Sequence, residues 1–332
     1  MTPVRAADVL PGSPMPDYRT HAVDVRAHAR GELTRQGDAV LDGFLRAVVP
    51  VGRADRAAGD DGGPGAVLRV ADQRRDARPG PDDAFLDRLL TTRADVLRVY
   101  LPPDANCLLA VMDRCLRSPD HVNVVVHGRQ ALPQWLSVGE AEAHCAAGIG
   151  AWDWAGSTGD GEPDVVLACC GDAPTLEVVA AASILREHLP QVRVRVVNVV
   201  DLMALQSRAD HPHGLSDSEH DALFTPDRPV VLAFHGCPWL IHRLGRRRAR
   251  RGLHVCGRRE NGPVRTPFDG RVRNRWDRFH LVQDVVDRLP EPGVAGARLR
   301  RSMGDSLLAH AASVSRYGVD LPQVRTWRWS AG

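Results

Sequence analysis

Residues 164–200, DVVLACCGDAPTLEVVAAASILREHLPQVRVRVVNVV, decide the predicted fold of this chain. The apolar runs at 164–170 and 192–200 are typical of buried strands, and the sequence between them has a helical period over 175–188. The second run is so apolar that both faces of its strand must be covered. A strand, a helix and a strand joined by short connections predict a parallel sheet that lies between layers of helices.

The same alternation of strand and helix patterns continues on both sides of this stretch, from residue 85 onward. Further elements are predicted as strands at 96–101, 122–127, 229–234 and 253–256, and as helices at 105–116, 138–147, 216–224, 239–248 and 277–289. The helix at 216–224 opens with Ser216 and Glu219 at the spacing of a capping box. The predicted fold class is therefore α/β, with a mostly parallel sheet.

Composition and turn residues also divide the chain. The predicted parts are a leader at 1–50, an irregular junction at 51–83, a remnant of one domain at 84–150, a connection at 151–163 and a complete domain at 164–332. The leader is extended and has one helical stripe, over 38–49, and the junction has one run able to form a strand, at 66–70.

The charge and residue counts exclude several classes of function. The 332 residues include 43 basic and 41 acidic side chains, and the net charge of +2 implies no bulk attraction to nucleic acid or membranes. Every basic residue is arginine, so a Schiff-base or pyridoxal enzyme and a Walker A loop, which need lysine, are excluded. The seven cysteines form no CxxC pair and predict no disulfide framework. Because the sequence shows no secretion signal and no apolar stretch of about 18 residues, we expect a cytoplasmic protein.

Short motifs that could carry chemistry have structural interpretations here. The GDG at 159–161 lacks the nearby asparagine and helix start of a thiamine diphosphate motif, and it predicts a surface turn. Close pairs of possible zinc ligands are His211/His213, His235/Cys237 and His254/Cys256. None of these pairs has the i, i+3 or i, i+4 spacing, so no metal site is predicted. Strand alternation predicts that one thiol of the vicinal Cys169 and Cys170 points inward.

Two further segments are dense in charged groups. Residues 211–224, HPHGLSDSEHDALF, carry many titratable side chains, several of which the capping box explains. A basic run that could attract a phosphate backbone consists of Arg243, Arg246, Arg247, Arg248, Arg250, Arg251, Arg258 and Arg259. The run has no interleaved aromatic residues, which favours a solvated helix face. A regulatory module that binds a nucleic acid or phosphorylated ligand through this run is the alternative function.

The segments of the second domain together resemble the C-terminal domain of phosphoketolases. The matching stretches are VRVVNVVDLMALQ (194–206), HPHGLSDSEHDALFT (211–225), FHGCPWLIHRL (234–244), RTPFDGRVRN (265–274) and DRFHLVQDVVDRLP (277–290). Upstream, residues 96–118 and 122–156 resemble the end of the family's middle, pyrimidine-binding domain and the bridge beyond it. MPDYRTHAVDV (15–25) and VLDGFLRAVV (40–49) are similar to the linker between the family's first and middle domains.

The resemblance implies a transketolase-like C-terminal domain with a mostly parallel sheet, preceded by a truncated pyrimidine-type α/β domain of a thiamine enzyme. The family reaction is the thiamine diphosphate-dependent cleavage of xylulose 5-phosphate or fructose 6-phosphate by inorganic phosphate to acetyl phosphate and an aldose phosphate. No stretch resembles the family's first domain, which holds magnesium and the cofactor's diphosphate, and residues 66–90 lack the family's His and Asn pair. We therefore expect this chain to bind neither thiamine diphosphate nor magnesium tightly and to have little turnover of its own.

By the same resemblance, Arg129 and Gln130 correspond to a family lysine and glutamine near the substrate phosphate. Arginine keeps the positive charge and adds a planar fork. No catalytic, cofactor-binding or metal-binding residue is expected.

The family builds its sites across a homodimer, so the expected partners are a second copy or a chain carrying the missing domains, besides sugar phosphate and inorganic phosphate. A competent enzyme with an unrecognised cofactor site is a third alternative.

Overall fold

The structure, a computed structural model, describes two sheets that are flanked by helices. The described residues are 97–117, 122–128, 133–159, 161–246, 252–259 and 264–330, together with the backbone of two strands at 23–24 and 66–72. The helix predicted at 38–49 lies outside this part of the chain.

The first sheet consists, in the described part of the chain, of parallel strands in the spatial order β1, β2, β4, β3. These are β1 (Val23–Asp24), β2 (Ala66–Asp72), β3 (Leu97–Tyr100) and β4 (Val122–Gly128). Helix α1 (Ala105–Leu116) connects β3 to β4 and has the predicted bounds. The run predicted at 66–70 forms an inner strand, because β2 lies between β1 and β4.

The second sheet has the order β5, β7, β6, β8, β9, and only β5 runs antiparallel to its neighbour among these described strands. The strands are β5 (Ile149–Ala151), β6 (Val165–Cys170), β7 (Val194–Val199), β8 (Val230–Phe234) and β9 (Leu253–Cys256). The predicted strands at 164–170, 192–200, 229–234 and 253–256 are confirmed. Strand β5 has no counterpart in the sequence prediction.

Helices cover both faces of the second sheet. The described helices that follow α1 are α2 (Val138–Ala147), α3 (Asp172–His188), α4 (Asp217–Phe224), α5 (Pro238–Leu244), α6 (Pro267–Arg273), α7 (Arg278–Val286), α8 (Gly293–Tyr317) and α9 (Pro322–Arg325), with a 3₁₀ turn at Leu202–Leu205. Helix α5 ends at Leu244, before the predicted end at residue 248, because Gly245 follows and glycine is a poor helix former. Helix α7 likewise ends three residues before the predicted residue 289. The longest described helix, α8, was not expected from the pattern.

Side-chain caps fix where several helices begin. The predicted capping box is present: Ser216 Oγ accepts the N–H of Glu219, and the Glu219 carboxylate accepts the N–H of Ser216 at 2.7 Å. Ser137 and Glu140 form a second box at the start of α2. At the start of α1, the Asp104 carboxylate accepts the N–H of Cys107 at 2.8 Å and those of Trp135 and Leu136 at 3.0 Å. Asp104 therefore also ties α1 to the segment that leads into α2.

The core of the second sheet lies on both of its faces. All six residues of β6 are buried, with Cys169 in one apolar cluster and Cys170 in the other. The predicted alternation is present, and the thiol that it sends to the other face is buried as well, because helices cover the sheet on both sides. All seven cysteines are free, as expected for a chain without a disulfide framework.

The two sheets meet at the carboxyl ends of β3 and β7. The backbone N–H of Leu101, directly after β3, donates to the carbonyl of Val200 at 2.7 Å. Tyr100 and Asp201 form an antiparallel bridge beside this bond. The carboxyl edges of the two parallel sheets therefore face one another. Within the described residues, no helix combines the length and the apolar character needed to cross a bilayer.

Candidate functional site

The carboxyl edge of the second sheet has the topology of a ligand site. From β6 the chain passes through α3 to β7 on one side, and it returns to β8 on the other side of β6. In open α/β sheets, ligands bind outside the carboxyl ends of the strands at such a reversal of strand order. Gly171 and Asp172 follow β6 at this point, and His235 and Cys237 follow β8.

A tight turn after β6 brings these two loops together. Gly171 has a φ of +89°, which favours glycine, and a Cβ added there would lie 3.4 Å from Nδ1 of His235. Thr175 Oγ1 donates to the carbonyl of Gly171 at 2.6 Å and holds the turn from within α3. The backbone conformation of Gly171, rather than its ordinary van der Waals contact with His235, is therefore what favours glycine at this turn.

A buried network of polar side chains is hydrogen-bonded to the residue that holds this turn. The amide of Asn198, on β7, donates from Nδ2 to Thr175 Oγ1 at 3.0 Å and accepts from Nε2 of His144 at 2.8 Å. Burial lowers the pKa of His144, so this imidazole is neutral near pH 7 and carries its proton on Nε2. The network therefore connects α2, β7 and α3 to Gly171 without a charged group.

A His–Asp pair lies at the end of the neighbouring strand β7. Asp201 is buried; its Oδ1 accepts the N–H of Met203 at 2.9 Å, and its Oδ2 lies 2.5 Å from Nδ1 of His213. The His213 ring is 26% exposed, so one side of the pair faces solvent. Within the charge-dense segment 211–224, His213 thus combines a buried carboxylate partner with partial exposure.

His211, two residues before His213, has a structural role. Its Nε2 donates to the carbonyl of Leu97, on β3, at 3.2 Å, and its Nδ1 accepts the N–H of His213 at 3.0 Å. Both contacts are satisfied by one neutral tautomer, with the proton on Nε2. His211 therefore anchors the loop to the first sheet and is not available as a metal ligand.

The described members of the basic run lie on both sides of strand β9 in the sequence. Arg243 and Arg246 lie at the end of α5, near the start of β9, whereas Arg258 and Arg259 follow the carboxyl end of β9. Arg243 stacks over the ring of Trp239 with 5.5 Å to the centroid. Residues 247–251 lie outside the described residues, so ligand binding by the whole run stays a prediction.

The two glycines of the GDG at 159–161 lie in a turn and a bend of the chain, which agrees with the predicted surface turn, and Asp160 lies outside the described residues. Gly159 is exposed with a φ of +53°, and the N–H of Gly161 donates to the carbonyl of Thr158 at 3.1 Å.

One of the His/Cys pairs lies beside a carboxylate. Ligand atoms of His254, Cys256 and Asp284 lie within 4.8 Å of one another, and this is the one group of three metal-ligating side chains in the described part of the chain. The i, i+3 and i, i+4 rule applies to helices, but His254 and Cys256 lie on a strand, where i, i+2 places two side chains on one face. This strand spacing was the signal available in the sequence.

Comparison with known proteins decides the family. Residues 129–329, more than half of the chain, match the sequence model of the family described as XFP C-terminal domain. Residues 70–118 match the model described as D-xylulose 5-phosphate/D-fructose 6-phosphate phosphoketolase. The chain belongs to the phosphoketolase family.

Curated phosphoketolase relatives are much longer than this chain. The probable phosphoketolase of Rhodopirellula baltica is 58% identical over 251 residues, which cover 75% of this chain and 32% of the relative. The probable phosphoketolase of Streptomyces avermitilis is 56% identical over 251 residues, with the same coverage of both chains. The chain therefore spans about a third of the length of the curated relatives that it matches.

Solved structures confirm the predicted fold class. A mutant transketolase from Pichia stipitis matches with a TM-score of 0.50 at 14% identity, over 68% of this chain and 30% of that chain. The fold is thus transketolase-like α/β, with mostly parallel sheets.

The residues that the phosphoketolase resemblance assigns to the substrate phosphate, Arg129 and Gln130, lie outside the described residues. Strand β4 ends at Gly128, immediately before them in the sequence. Their role stays a prediction.

Proposed function

We propose that this chain provides the end of the middle domain and the C-terminal domain of a phosphoketolase, and that it does not catalyse the family reaction alone. That reaction is the thiamine diphosphate-dependent cleavage of xylulose 5-phosphate or fructose 6-phosphate by inorganic phosphate, with acetyl phosphate and an aldose phosphate as products. The observation that carries the proposal is the family match over residues 129–329 in a chain that covers 32% of its relative.

The described residues do not fit the cofactor. Magnesium prefers oxygen ligands, whereas the one described group of three ligating side chains combines an imidazole, a thiol and a carboxylate. The glutamate that the family places on the aminopyrimidine ring has no free counterpart either. Glu177, the only buried glutamate among the described residues, is ion-paired with Arg271 and Arg278. We therefore derive no catalytic step through thiamine diphosphate from these residues.

The proposed contribution of the chain is to shape the substrate entrance and the assembly. The carboxyl edge of the second sheet faces β3, and the pair of the buried Asp201 and the partly exposed His213 lies at this junction. In this proposal the C-terminal domain begins before β5, because β5 pairs with β7 and so belongs to the second sheet. The residues that bind the cofactor and catalyse the reaction would come from a second copy of the chain or from a partner that carries the missing domains. Free cysteines throughout the chain favour a cytoplasmic location.

A chimera tests whether this chain is a competent C-terminal part. Residues 85–330 replace the equivalent residues of the Rhodopirellula baltica relative, and acetyl phosphate is measured with thiamine diphosphate, magnesium, inorganic phosphate and xylulose 5-phosphate. We expect a rate within about tenfold of that of the intact relative. This corresponds to a change of at most about 1.4 kcal/mol in the activation barrier. The relative with the same segment deleted serves as the negative control. A folded, dimeric chimera without activity would contradict the proposal.

Within this chimera, Arg129→Ala tests the proposed phosphate contact. Loss of a hydrogen-bonded charge costs about 1.5 to 3 kcal/mol, so we expect kcat/KM for xylulose 5-phosphate to fall about 10- to 100-fold. Arg129→Lys should recover much of the loss, because the charge returns without the fork. The control is Arg117→Ala, which removes an exposed arginine paired with Asp113 at 2.8 Å. Unchanged kinetics for Arg129→Ala would show that Arg129 does not contact the phosphate.

A further inference from the structure

The edge strand of the second sheet and helix α7 together present three metal-ligating atoms. His254 and Cys256 are two residues apart on β9, so their side chains share one face of the strand. Asp284, on α7, packs against that face: its Oδ2 lies 3.4 Å from Sγ of Cys256 and 3.4 Å from Nε2 of His254. One carboxylate oxygen is thus shared between an imidazole nitrogen and a thiol sulfur.

These separations match the edges of a zinc tetrahedron. With usual bonds of about 2.3 Å to sulfur and about 2.0 Å to nitrogen and oxygen, a tetrahedral zinc places sulfur and oxygen about 3.5 Å apart. The same geometry places nitrogen and oxygen about 3.3 Å apart. Two of the three edges of the cluster therefore match those of a zinc coordination shell, and the third, from Sγ of Cys256 to Nε2 of His254, is within 4.8 Å.

A neighbouring arginine orients the carboxylate. Nη1 of Arg288 donates to Oδ1 of Asp284 at 3.1 Å and to the backbone carbonyl of the same residue at 2.7 Å. Oδ1 is therefore occupied, and Oδ2 is directed at His254 and Cys256. Partners outside the coordination shell commonly hold a ligating carboxylate in this way.

We propose that His254 Nε2, Cys256 Sγ and Asp284 Oδ2 bind a zinc ion. Thiolate and imidazole ligands select zinc over magnesium and calcium. When zinc binds, the thiol proton of Cys256 is released to solvent and the His254 imidazole takes the tautomer that carries its one proton on Nδ1, so binding of each zinc ion liberates one proton. The His254 side chain is 26% exposed, so the fourth coordination position opens towards solvent. The ion joins the edge strand β9 to α7, and the site is independent of the proposed enzymatic function.

Cobalt and zinc titrations of the full chain, freed of metal with a chelator, test the site. We expect a thiolate-to-cobalt charge-transfer band that saturates at one equivalent and disappears when zinc is added. Cys256→Ser should abolish the band, and Asp284→Asn should weaken binding about tenfold or more. The matched control is Cys237→Ser, the same change in the His235/Cys237 pair, which belongs to no group of three ligating side chains among the described residues.

A thermal unfolding series keeps the test independent of misfolding. His254→Gln changes a side chain that is 26% exposed, and without metal it should unfold at the temperature of the unchanged protein. Zinc should raise the unfolding temperature of the unchanged protein and of Cys237→Ser but not of His254→Gln. The absence of a one-equivalent cobalt band, or a band that survives Cys256→Ser, would overturn the proposal.

Discussion

Replacing Glu177 with glutamine is expected to lower the free energy of unfolding by about 3 to 5 kcal/mol. The Glu177 carboxylate is fully buried; Oε1 accepts from Nη1 of Arg271 at 2.5 Å, and Oε2 accepts from Nε and the backbone N–H of Arg278, both at 2.9 Å. Glutamine removes the negative charge and turns an N–H₂ group towards guanidinium donors. The Arg278 side chain, only 3% exposed, would then be a buried charge without its partner.

Urea unfolding measures this loss. The matched control is Glu187→Gln, which makes the same change on the same helix at a side chain that is 73% exposed, and it should shift stability by less than about 0.5 kcal/mol. A loss below about 1 kcal/mol for Glu177→Gln would mean that the ion-paired cluster does not hold α3, α6 and α7 together.

The same carboxylate should make the protein sensitive to acid between about pH 4.5 and pH 2. Burial acts to raise the pKa of Glu177, but the charges of Arg278 and Arg271 and the hydrogen bonds outweigh it and lower the pKa from 4.5 to about 2. A lowered pKa contributes stability that is fully present above the unfolded value of 4.5 and is lost as the pH falls towards about 2. The shift corresponds to stability on the order of 3 kcal/mol.

Urea midpoints collected from pH 7 down to pH 2 test this expectation. The stability difference between the unchanged protein and Glu177→Gln should be constant above about pH 5 and should shrink as the pH falls through the window. Glu187→Gln should follow the unchanged protein throughout. Parallel profiles for the unchanged protein and Glu177→Gln would contradict the assignment of this acid sensitivity to Glu177.

Apolar runs and caps made much of the second sheet predictable. Strand β9 has the bounds that the sequence predicts. Helices α1 and α2 also have their predicted bounds, because a change of period and a capping residue coincide where each helix begins. The capping box at Ser216 is likewise a local signal, and it survives in the folded protein. The bounds of an element can be predicted from its own sequence when the residues next to it determine where it begins and ends.

Helix α8 shows why other elements were not predictable. Its buried face consists of Gly296, Leu299, Met303, His310 and Val314, which recur at helical spacing. Two of these five residues are glycine and histidine, so the stripe is not apolar and a search for apolar periodicity does not find it. Strand β5 is only three residues long, and its pairing depends on β7, which lies far along the chain.

The polar clusters needed the tertiary structure for a similar reason. Glu177 and Arg278 are 101 residues apart, and no local pattern brings them together. The pair His254 and Cys256 is visible in the sequence once strand spacing is considered, but Asp284 joins it only through the packing of α7 on β9. The family, in contrast, was accessible from the sequence because long ordered segments resemble phosphoketolases, and the family match over 129–329 confirms it.

The most direct test of the central claim is acetyl phosphate formation by the purified 332-residue chain alone. The assay contains thiamine diphosphate, magnesium, inorganic phosphate and xylulose 5-phosphate, with an intact phosphoketolase as the positive control. We expect no product above the rate without protein, because the described residues do not fit the cofactor and the chain spans about a third of its relatives. Acetyl phosphate formed in proportion to the amount of chain would contradict this account and would require a cofactor site within the chain itself.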